Sequence, residues 1–190
     1  MAARKYVIDT SLFVNPHARG KFGANPSAAV RGFVRMADGL DIAVYMPPSV
    51  FNELGNFDEA SALEELELVL KKRAPNIHGI YLPAAVFYDF IEDIRNRMNK
   101  GMRLAEEFAK DNRPDNDAKL GRLREKYREA MRTGIIDSKE DFELVMLAKE
   151  LEASLISSDE GAIKFAMELG CEWMGADKFH PLLKKLAKKK

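Results

Sequence analysis

The segment Gly134-Ile-Ile-Asp-Ser-Lys-Glu-Asp-Phe-Glu143 leads into an apolar stretch that predicts a buried helix over 144–148. Asp137 and Asp141 stand four residues apart, so both carboxylates are predicted to leave the same face of this helix. Like charges at this spacing destabilise a helix, and the pair therefore needs an explanation. Ser138-Lys-Glu-Asp141 also fits a capping box, and the first turn of a helix favours anions. Helix capping and a functional pair both remain open here.

Two further carboxylates follow predicted buried strands. Tyr6-Val-Ile8 is followed by Asp9, and the strand Ala153–Ser157 is followed closely by Asp159. Because the carboxyl ends of parallel strands meet at one edge of a sheet, we expect these side chains to face the same crevice as the Asp137/Asp141 pair. Each could equally serve an Asx turn or cap a helix.

A third strand end is predicted at Asp41–Met46, where Pro47-Pro48-Ser49 then starts a helix that carries Glu53. This places Glu53 at a crevice as a further candidate ligand. A solvated surface residue is an equally good interpretation of Glu53.

The remaining segments outside residues 84–133 predict ordinary α/β elements. Leucines at helical spacing predict a helix over Ser61–Lys72. Ser27 is the expected cap of a helix near Ala28–Ala37, Ile77–Leu82 is a weak strand candidate, and Cys171–Met174 predicts a final strand.

Residues 84–133 interrupt the alternation of strands and helices. Apolar residues at helical spacing predict one helix from Ala84 to about Lys110 and a second from Pro114 to Met131, which together form a helical hairpin. Between Asp93 and Arg132 there are 12 basic and 8 acidic residues, so the insertion is basic. Five basic residues of the second helix form a stripe and a neighbouring line that could bind phosphates, although a solvated face balanced by glutamates is an alternative. The stripe is Arg124, Arg128 and Arg132, and the neighbouring line is Arg122 and Lys126.

Bulk composition places few further limits on function. The chain has 190 residues, and its 30 basic and 30 acidic residues cancel, so only local charge clusters can indicate a partner. A single cysteine excludes an internal disulfide framework and a cysteine zinc site. With neither a signal peptide nor a long apolar run in the sequence, we expect a cytoplasmic protein without membrane contact.

The predicted fold class is an α/β fold, a parallel sheet flanked by helices with an inserted helical hairpin. A sheet domain is expected over 1–83 and 134–190, and the hairpin over 84–133. Asp9, Asp137, Asp141 and Asp159, without an accompanying histidine, cysteine or lysine, form a set that suits Mg²⁺ or Mn²⁺. Such ions activate water and stabilise the leaving oxygen of a phosphodiester, which is nuclease chemistry.

Four sequence blocks carry a family resemblance that spans Lys5 to about Asp177. The order of Val-Ile-Asp-Thr-Ser, the Asp137/Asp141 pair and Ser-Ser-Asp-Glu-Gly resembles the PIN-domain ribonucleases. Within that class the chain resembles the small protein-only ribonuclease P family, also called RNA ligase partner proteins. The blocks are Tyr6-Val-Ile-Asp-Thr-Ser-Leu-Phe-Val-Asn-Pro16, Met46-Pro-Pro-Ser49, Arg124-Glu-Lys-Tyr-Arg-Glu-Ala130 and Gly134-Ile-Ile-Asp-Ser-Lys-Glu-Asp141.

The resemblance implies a PIN-like sheet and metal-dependent removal of the 5′ leader of precursor tRNA. It implies that the catalytic and metal-binding aspartates are the four named above, with Glu143 standing where the family usually has aspartate. It also implies tRNA contact by Arg124 and Arg128. Self-association into a large homo-oligomer, with a dodecamer as the expected size, would place apolar residues of Phe87–Phe108 at subunit contacts.

Two other functions stay open from the sequence. A PIN ribonuclease acting on another RNA would use the same aspartates, although a minimal PIN toxin lacks the hairpin. A non-catalytic RNA-binding partner of an RNA ligase would bind RNA regardless of divalent metal. Mapping the cut on tRNA separates the first alternative from 5′ leader removal, and RNA binding that is indifferent to divalent metal and to loss of Asp159 would indicate the second.

Overall fold

A computed structural model describes residues 3–111, 116–131 and 138–188 of the chain. The contacts divide it into two compact units. Met1–Tyr81 and Ser138–Lys190 form the first, which we call the sheet unit, and Leu82–Asp137 forms the second, the hairpin unit.

The sheet unit is built on five parallel strands in the order β3-β2-β1-β4-β5. Along the chain the sheet grows from β1 through β2 to β3 on one side, and from β4 to β5 on the other. The order therefore reverses between β1 and β4, where α/β sheets bind ligands at the carboxyl ends of their strands. The strands are β1 Arg4–Ile8, β2 Ile42–Met46, β3 Leu70–Lys72, β4 Ser154–Ser157 and β5 Trp173–Gly175.

Ten helices accompany these strands in the described residues, eight of them in the sheet unit. Those eight are α1 Ser11–Val14, α2 Pro16–Arg19, α3 Pro26–Ala37, α4 Pro48–Leu54, α5 Ala60–Leu66, α8 Lys139–Leu151, α9 Glu160–Glu168 and α10 Ala176–Ala187. The other two, α6 Ala84–Ala109 and α7 Asn116–Met131, belong to the hairpin unit.

The core lies where β1 meets the helices that cover it. Val7 and Ile8 are fully buried, and Tyr6 packs edge-on against Phe179 of α10 at 5.0 Å between ring centroids. Phe179 in turn stacks on Phe33 of α3 at 6.1 Å. Burial of these large rings supplies the main favourable term for folding. The predicted fold class is confirmed, including the helical insert.

Two predictions between residues 61 and 82 were wrong. The helix expected over Ser61–Lys72 ends at Leu66, and its last residues form edge strand β3, because Leu70 points into the core while Lys71 and Lys72 stay exposed. The leucine spacing that suggests one helix spans two elements. Residues 77–82 form no strand, and Tyr81 is 92% exposed.

The cap of α3 is Asn25 rather than Ser27. The Asn25 side chain accepts a hydrogen bond from the Ala28 backbone N–H at 2.8 Å, and Pro26 occupies the first helical position. Ser27 is buried, and its hydroxyl accepts from the Glu59 backbone N–H at 3.2 Å, so it connects α3 to the start of α5.

The hairpin unit packs α6 against α7. A Cβ atom at Gly101 would lie 3.0 Å from Cε2 of Tyr127, so glycine permits this close approach of the two helices. Lys126 of α7 reaches the Glu107 carboxylate of α6 at 3.1 Å. Most large apolar side chains of α6 nevertheless stay exposed. Within the described ranges, no helix has the length and apolar character needed to cross a membrane.

Candidate active site

Asp9 lies directly after β1, at the point where the sheet order reverses. Its backbone N–H donates to the carbonyl of Ile156, so the residue continues the ladder between β1 and β4. Only 7% of Asp9 is exposed. Its carboxylate accepts from the hydroxyls of Thr10 at 3.2 Å, Ser11 at 2.5 Å and Ser157 at 2.6 Å. Hydroxyls from both sides of the sheet reversal therefore orient this carboxylate.

The same two serines tie Asp9 to the segment that follows β4. The Ser157 hydroxyl accepts from the Asp159 backbone N–H at 2.9 Å, and the Ser11 hydroxyl accepts from that of Ser158 at 2.9 Å. Asp159 is the N-cap of α9, because its Oδ1 accepts from the Ala162 N–H at 2.7 Å. Capping thus uses one carboxylate oxygen of Asp159.

The start of α8 brings Asp141 to the same region. Ser138 is the N-cap, and its hydroxyl accepts from the Asp141 N–H at 3.0 Å and donates to Asp141 Oδ2 at 2.7 Å. The capping interpretation of this segment is correct for Ser138 and Asp141. Asp137 lies outside the described residues, so its pairing with Asp141 stays a prediction.

Helix α4 brings a further set of polar side chains to the same region. Pro47 occupies its N-cap position without a side-chain hydrogen bond, Pro48 stands at its first position, and the helix then presents Ser49, Asn52 and Glu53. Burial raises the pKa of the Glu53 carboxyl, and the nearby carboxylates of Asp9 and Glu140 raise it further. Glu53 therefore lies within electrostatic range of both β1 and α8.

Together these side chains line a cleft of about 640 Å³ in the sheet unit. Within the described residues its lining contains five carboxylates but no lysine, arginine, histidine or cysteine. The lining residues are Asp9, Thr10, Ser11, Ser49, Asn52, Glu53, Asn56, Ser138, Glu140, Asp141 and Asp159.

The donor set of the cleft fits a hard divalent cation, because carboxylate, amide and hydroxyl oxygens are the ligands that such ions take. Burial raises the pKa of Glu53 most, and repulsion from Asp9 and Glu140 raises it further; a bound cation relieves this repulsion. In the part of the chain that the structure describes, no three acidic, histidine or cysteine side chains converge as closely as metal ligands do. Hydroxyls and helix N–H groups occupy oxygens of Asp9, Asp141 and Asp159 instead.

Glu143 lies beside the cleft rather than in its lining. Its carboxylate accepts from the Ser49 hydroxyl at 2.5 Å and lies 3.3 Å from the ammonium of Lys139. These contacts join α8 to α4, the two helices that carry facing walls of the cleft.

The predicted RNA-binding residues of α7 lie in the hairpin unit. Arg122, Arg124, Lys126 and Arg128 are all exposed, and Lys126 pairs with Glu107. Arg132 lies outside the described residues. Their exposure is compatible both with phosphate contact and with a solvated face.

Several residues of the cleft were not predicted. Ser11, Ser157 and Glu140 are the clearest cases. The sequence did contain a signal for the two serines, because each lies two residues from an aspartate at the end of a strand, in Asp9-Thr-Ser11 and Ser157-Ser-Asp159. Glu140 had no such signal, because its place depends on how α8 packs against α4.

Replacing Glu53 by glutamine is expected to stabilise the metal-free protein slightly. A raised carboxyl pKa in the folded state contributes stability that is fully present below the ordinary pKa and is lost as pH rises through the folded-state value. Because Glu53 is partly exposed, we expect the melting temperature of E53Q in EDTA to exceed that of the parent by only about 1 °C near neutral pH, and the gain to vanish near about pH 4.

The matched control is E64Q, which removes an exposed carboxylate of α5 away from the cleft. The melting temperature of E64Q should equal that of the parent at both pH values. A lower melting temperature for E53Q than for the parent near neutral pH would contradict repulsion within the cleft.

A parallel sheet with a carboxylate-lined cleft at its order reversal is the arrangement of a PIN-type nuclease. In agreement, a family model described as "PINc domain ribonuclease" matches residues 5–188. PIN nucleases generally depend on divalent metal ions.

Relatives that align over nearly their full length identify the family within this class. The chain is 45% identical to a protein of Thermococcus onnurineus named RNA-free ribonuclease P, with 97% of this chain and 96% of that protein covered. Proteins of the same name from Thermodesulfovibrio yellowstonii and Alkalilimnicola ehrlichii are 43% and 38% identical, with 95% and 96% of this chain and 93% and 97% of those proteins covered. The chain belongs to the RNA-free ribonuclease P family of PIN-domain ribonucleases.

Proposed function

We propose that this endoribonuclease removes the 5′ leader from precursor tRNA by hydrolysing one phosphodiester bond. The observation that carries the proposal is the cleft at the sheet reversal, which places five carboxylates together without a basic side chain among its described lining residues. Such a lining repels a phosphodiester unless a cation is bound, and this favours metal-assisted hydrolysis. We place the protein in the cytoplasm, since the relatives named above come from archaea and bacteria, which make precursor tRNA in the cytoplasm.

Asp9, Asp137, Asp141 and Asp159 are the proposed catalytic residues and ligands of Mg²⁺ or Mn²⁺, with Glu53 and Glu143 as further candidates. When bound, the ion supplies activation of water and stabilisation of charge on the leaving oxygen. Asp9 is the best supported of these residues, because it is buried and held by three hydroxyls.

The neighbouring residues keep the carboxylates in fixed orientations. Ser11 and Ser157 hold one oxygen of Asp9, while the cap of α8 holds one oxygen of Asp141. Asp159 is oriented by the N-terminus of α9. Preorganisation of this kind avoids rearranging charged groups during the reaction.

Arg124 and Arg128 are proposed to bind phosphates of the tRNA, with Arg122, Lys126 and Arg132 as further candidates. Arginine suits this role because its planar group donates hydrogen bonds in pairs. Support comes from the exposure of both arginines on α7.

Self-association into a large homo-oligomer, with a dodecamer as the proposed size, is supported by α6. Seven large apolar side chains of this one helix are at least 40% exposed, far more than a solitary surface helix normally shows. They are Phe87, Tyr88, Phe90, Ile91, Ile94, Met98 and Met102.

Introducing charge at Phe87 and Ile91 together is expected to reduce the molecular mass in solution several-fold. The two side chains stand four residues apart on α6, and each is 55% exposed. Burying each at a subunit contact would contribute about 1.5–3 kcal/mol, which F87E/I91E removes. Light scattering after size exclusion measures the change.

The control for this change is L68E, which adds a charge at an 81% exposed leucine of the sheet unit. The L68E protein should keep the parent mass. An unchanged mass for F87E/I91E, or a monomeric parent, would show that α6 does not mediate assembly.

The decisive test of the proposed function is cleavage of a 5′-labelled precursor tRNA by the purified full chain with Mg²⁺, followed by mapping of the cut. A cut at the mature 5′ end supports the proposal. A cut elsewhere on the tRNA, or on another RNA only, would assign the chain to a different RNA target. Binding without any cut would favour the non-catalytic partner of an RNA ligase.

A further inference from the structure

Helix α10 contains a proline that leaves one of its own carbonyls without a helical donor. Pro181 lacks the N–H that would donate to the carbonyl of Asp177, four residues earlier. The ammonium of Lys21 donates to this carbonyl at 2.6 Å. Lys21 lies between α2 and α3, far away in sequence. This hydrogen bond places Lys21 beside α10.

His180 is held next to this lysine by packing. Its ring stands edge-on to Phe22, the residue after Lys21, with 4.9 Å between centroids and 87° between planes. Lys184 follows His180 by four residues, so both side chains leave the same face of α10. Burial lowers the pKa of His180, and the positive charges of Lys184 and Lys21 lower it further, so both lysines lie within electrostatic range of the His180 ring.

The two lysines of this group have no close carboxylate partner in the part of the chain that the structure describes. Within the described ranges, no carboxylate oxygen lies within 4.0 Å of the ammonium of Lys21 or Lys184. Two basic residues at the opposite edge of the sheet differ, since Lys72 pairs with Glu67 and Arg73 with Glu150, whereas Lys71 there lies over the Tyr45 ring. Lysines without a close carboxylate partner can attract an external anion.

The chemistry of the surface suits the phosphates of a nucleic acid backbone. A lysine ammonium has three donors, and Lys21 uses one of them on the Asp177 carbonyl, which leaves two for a phosphate. Holding the ammonium in place lowers the entropy that binding costs. Helix α10 begins directly after β5, at the carboxyl edge of the sheet, which is also the edge that holds Asp9.

We propose that Lys21, His180 and Lys184 bind the phosphate backbone of the substrate RNA on the β5 side of the catalytic cleft. This inference rests on the proposed function, since it takes the RNA that is cut as the occupant. It assigns RNA contact to the sheet unit as well as to the arginines of the hairpin unit.

The test measures binding of labelled precursor tRNA to the full-length K21Q/K184Q protein in EDTA over a range of salt concentrations. The expected result is about tenfold weaker binding at low salt, and a slope of log K against log salt that is smaller by about 2. The matched control is K185Q, which removes a charge from the same helix on a different face. It should bind within about twofold of the parent. Equal binding by K21Q/K184Q and K185Q would overturn the inference.

A second measurement follows the ring protons of His180 by NMR during a pH titration with and without the RNA. Phosphates close to the ring should raise the pKa of His180, and an unchanged pKa on RNA binding would also overturn the inference. Cleavage with Mg²⁺ is assayed in parallel on the parent protein. Failure to cut the RNA would refute the proposed function, whereas the binding comparison decides the role of the lysines separately.

Discussion

Replacing Asp9 by asparagine is expected to reduce cleavage of precursor tRNA by about 10³-fold or more. Asparagine keeps the size of the side chain but removes the charge that the proposed divalent cation binds. Several kcal/mol of charge stabilisation in the transition state would be lost, and each 1.36 kcal/mol corresponds to a factor of ten in rate. The hydroxyls of Ser11 and Ser157 can reorient toward the amide oxygen, so the melting temperature should stay within a few degrees of the parent. Single-turnover cleavage and thermal unfolding measure the two effects.

The control is D38N, which makes the same chemical change at an exposed aspartate after α3. Its cleavage rate should equal that of the parent. If D9N cuts at the parent rate while remaining folded, Asp9 is not part of the catalytic site, and the assignment of the cleft as the active site is wrong.

Replacing Ser157 by alanine should weaken both the fold and the reaction. Its side chain is fully buried, and its hydroxyl donates to Asp9 and accepts from the Asp159 N–H, so the substitution removes one donor to the buried Asp9 carboxylate and the acceptor of the Asp159 N–H. The expected cost is about 1–3 kcal/mol, or a melting temperature lower by about 2–10 °C. Because Ser157 orients Asp9, cleavage should fall by about 10–100-fold, and half-maximal activity should need more Mg²⁺.

The Mg²⁺ requirement distinguishes positioning of Asp9 from a purely structural role. The control is S154A. It changes a serine of the same strand whose hydroxyl donates to Glu172 at the exposed surface. It should leave the Mg²⁺ requirement unchanged. Lower stability in S157A with an unchanged Mg²⁺ requirement would assign Ser157 to the fold alone.

The local elements around the cleft could be predicted from sequence because neighbouring residues determine them. β-branched and apolar residues before Asp9 and Asp159 specify two buried strands, and Ser138 with Asp141 specifies a helix cap. Parallel pairing then places strand ends at one edge without further information. The same reasoning failed over Ser61–Lys72, where leucines of a helix and of an edge strand happen to share helical spacing.

The sequence by itself therefore determined the α/β class, the helical insert and the segments that carry the acidic residues. Only the tertiary structure decided that Glu53 and Glu140 come within electrostatic range, and that the hydroxyls of Ser11 and Ser157 hold Asp9. It also decided that the Lys21 ammonium donates a hydrogen bond to the Asp177 carbonyl, for which Pro181 has no N–H. The physical reason is that these contacts join residues up to 156 positions apart, so they depend on sheet order and helix packing rather than on any local periodicity.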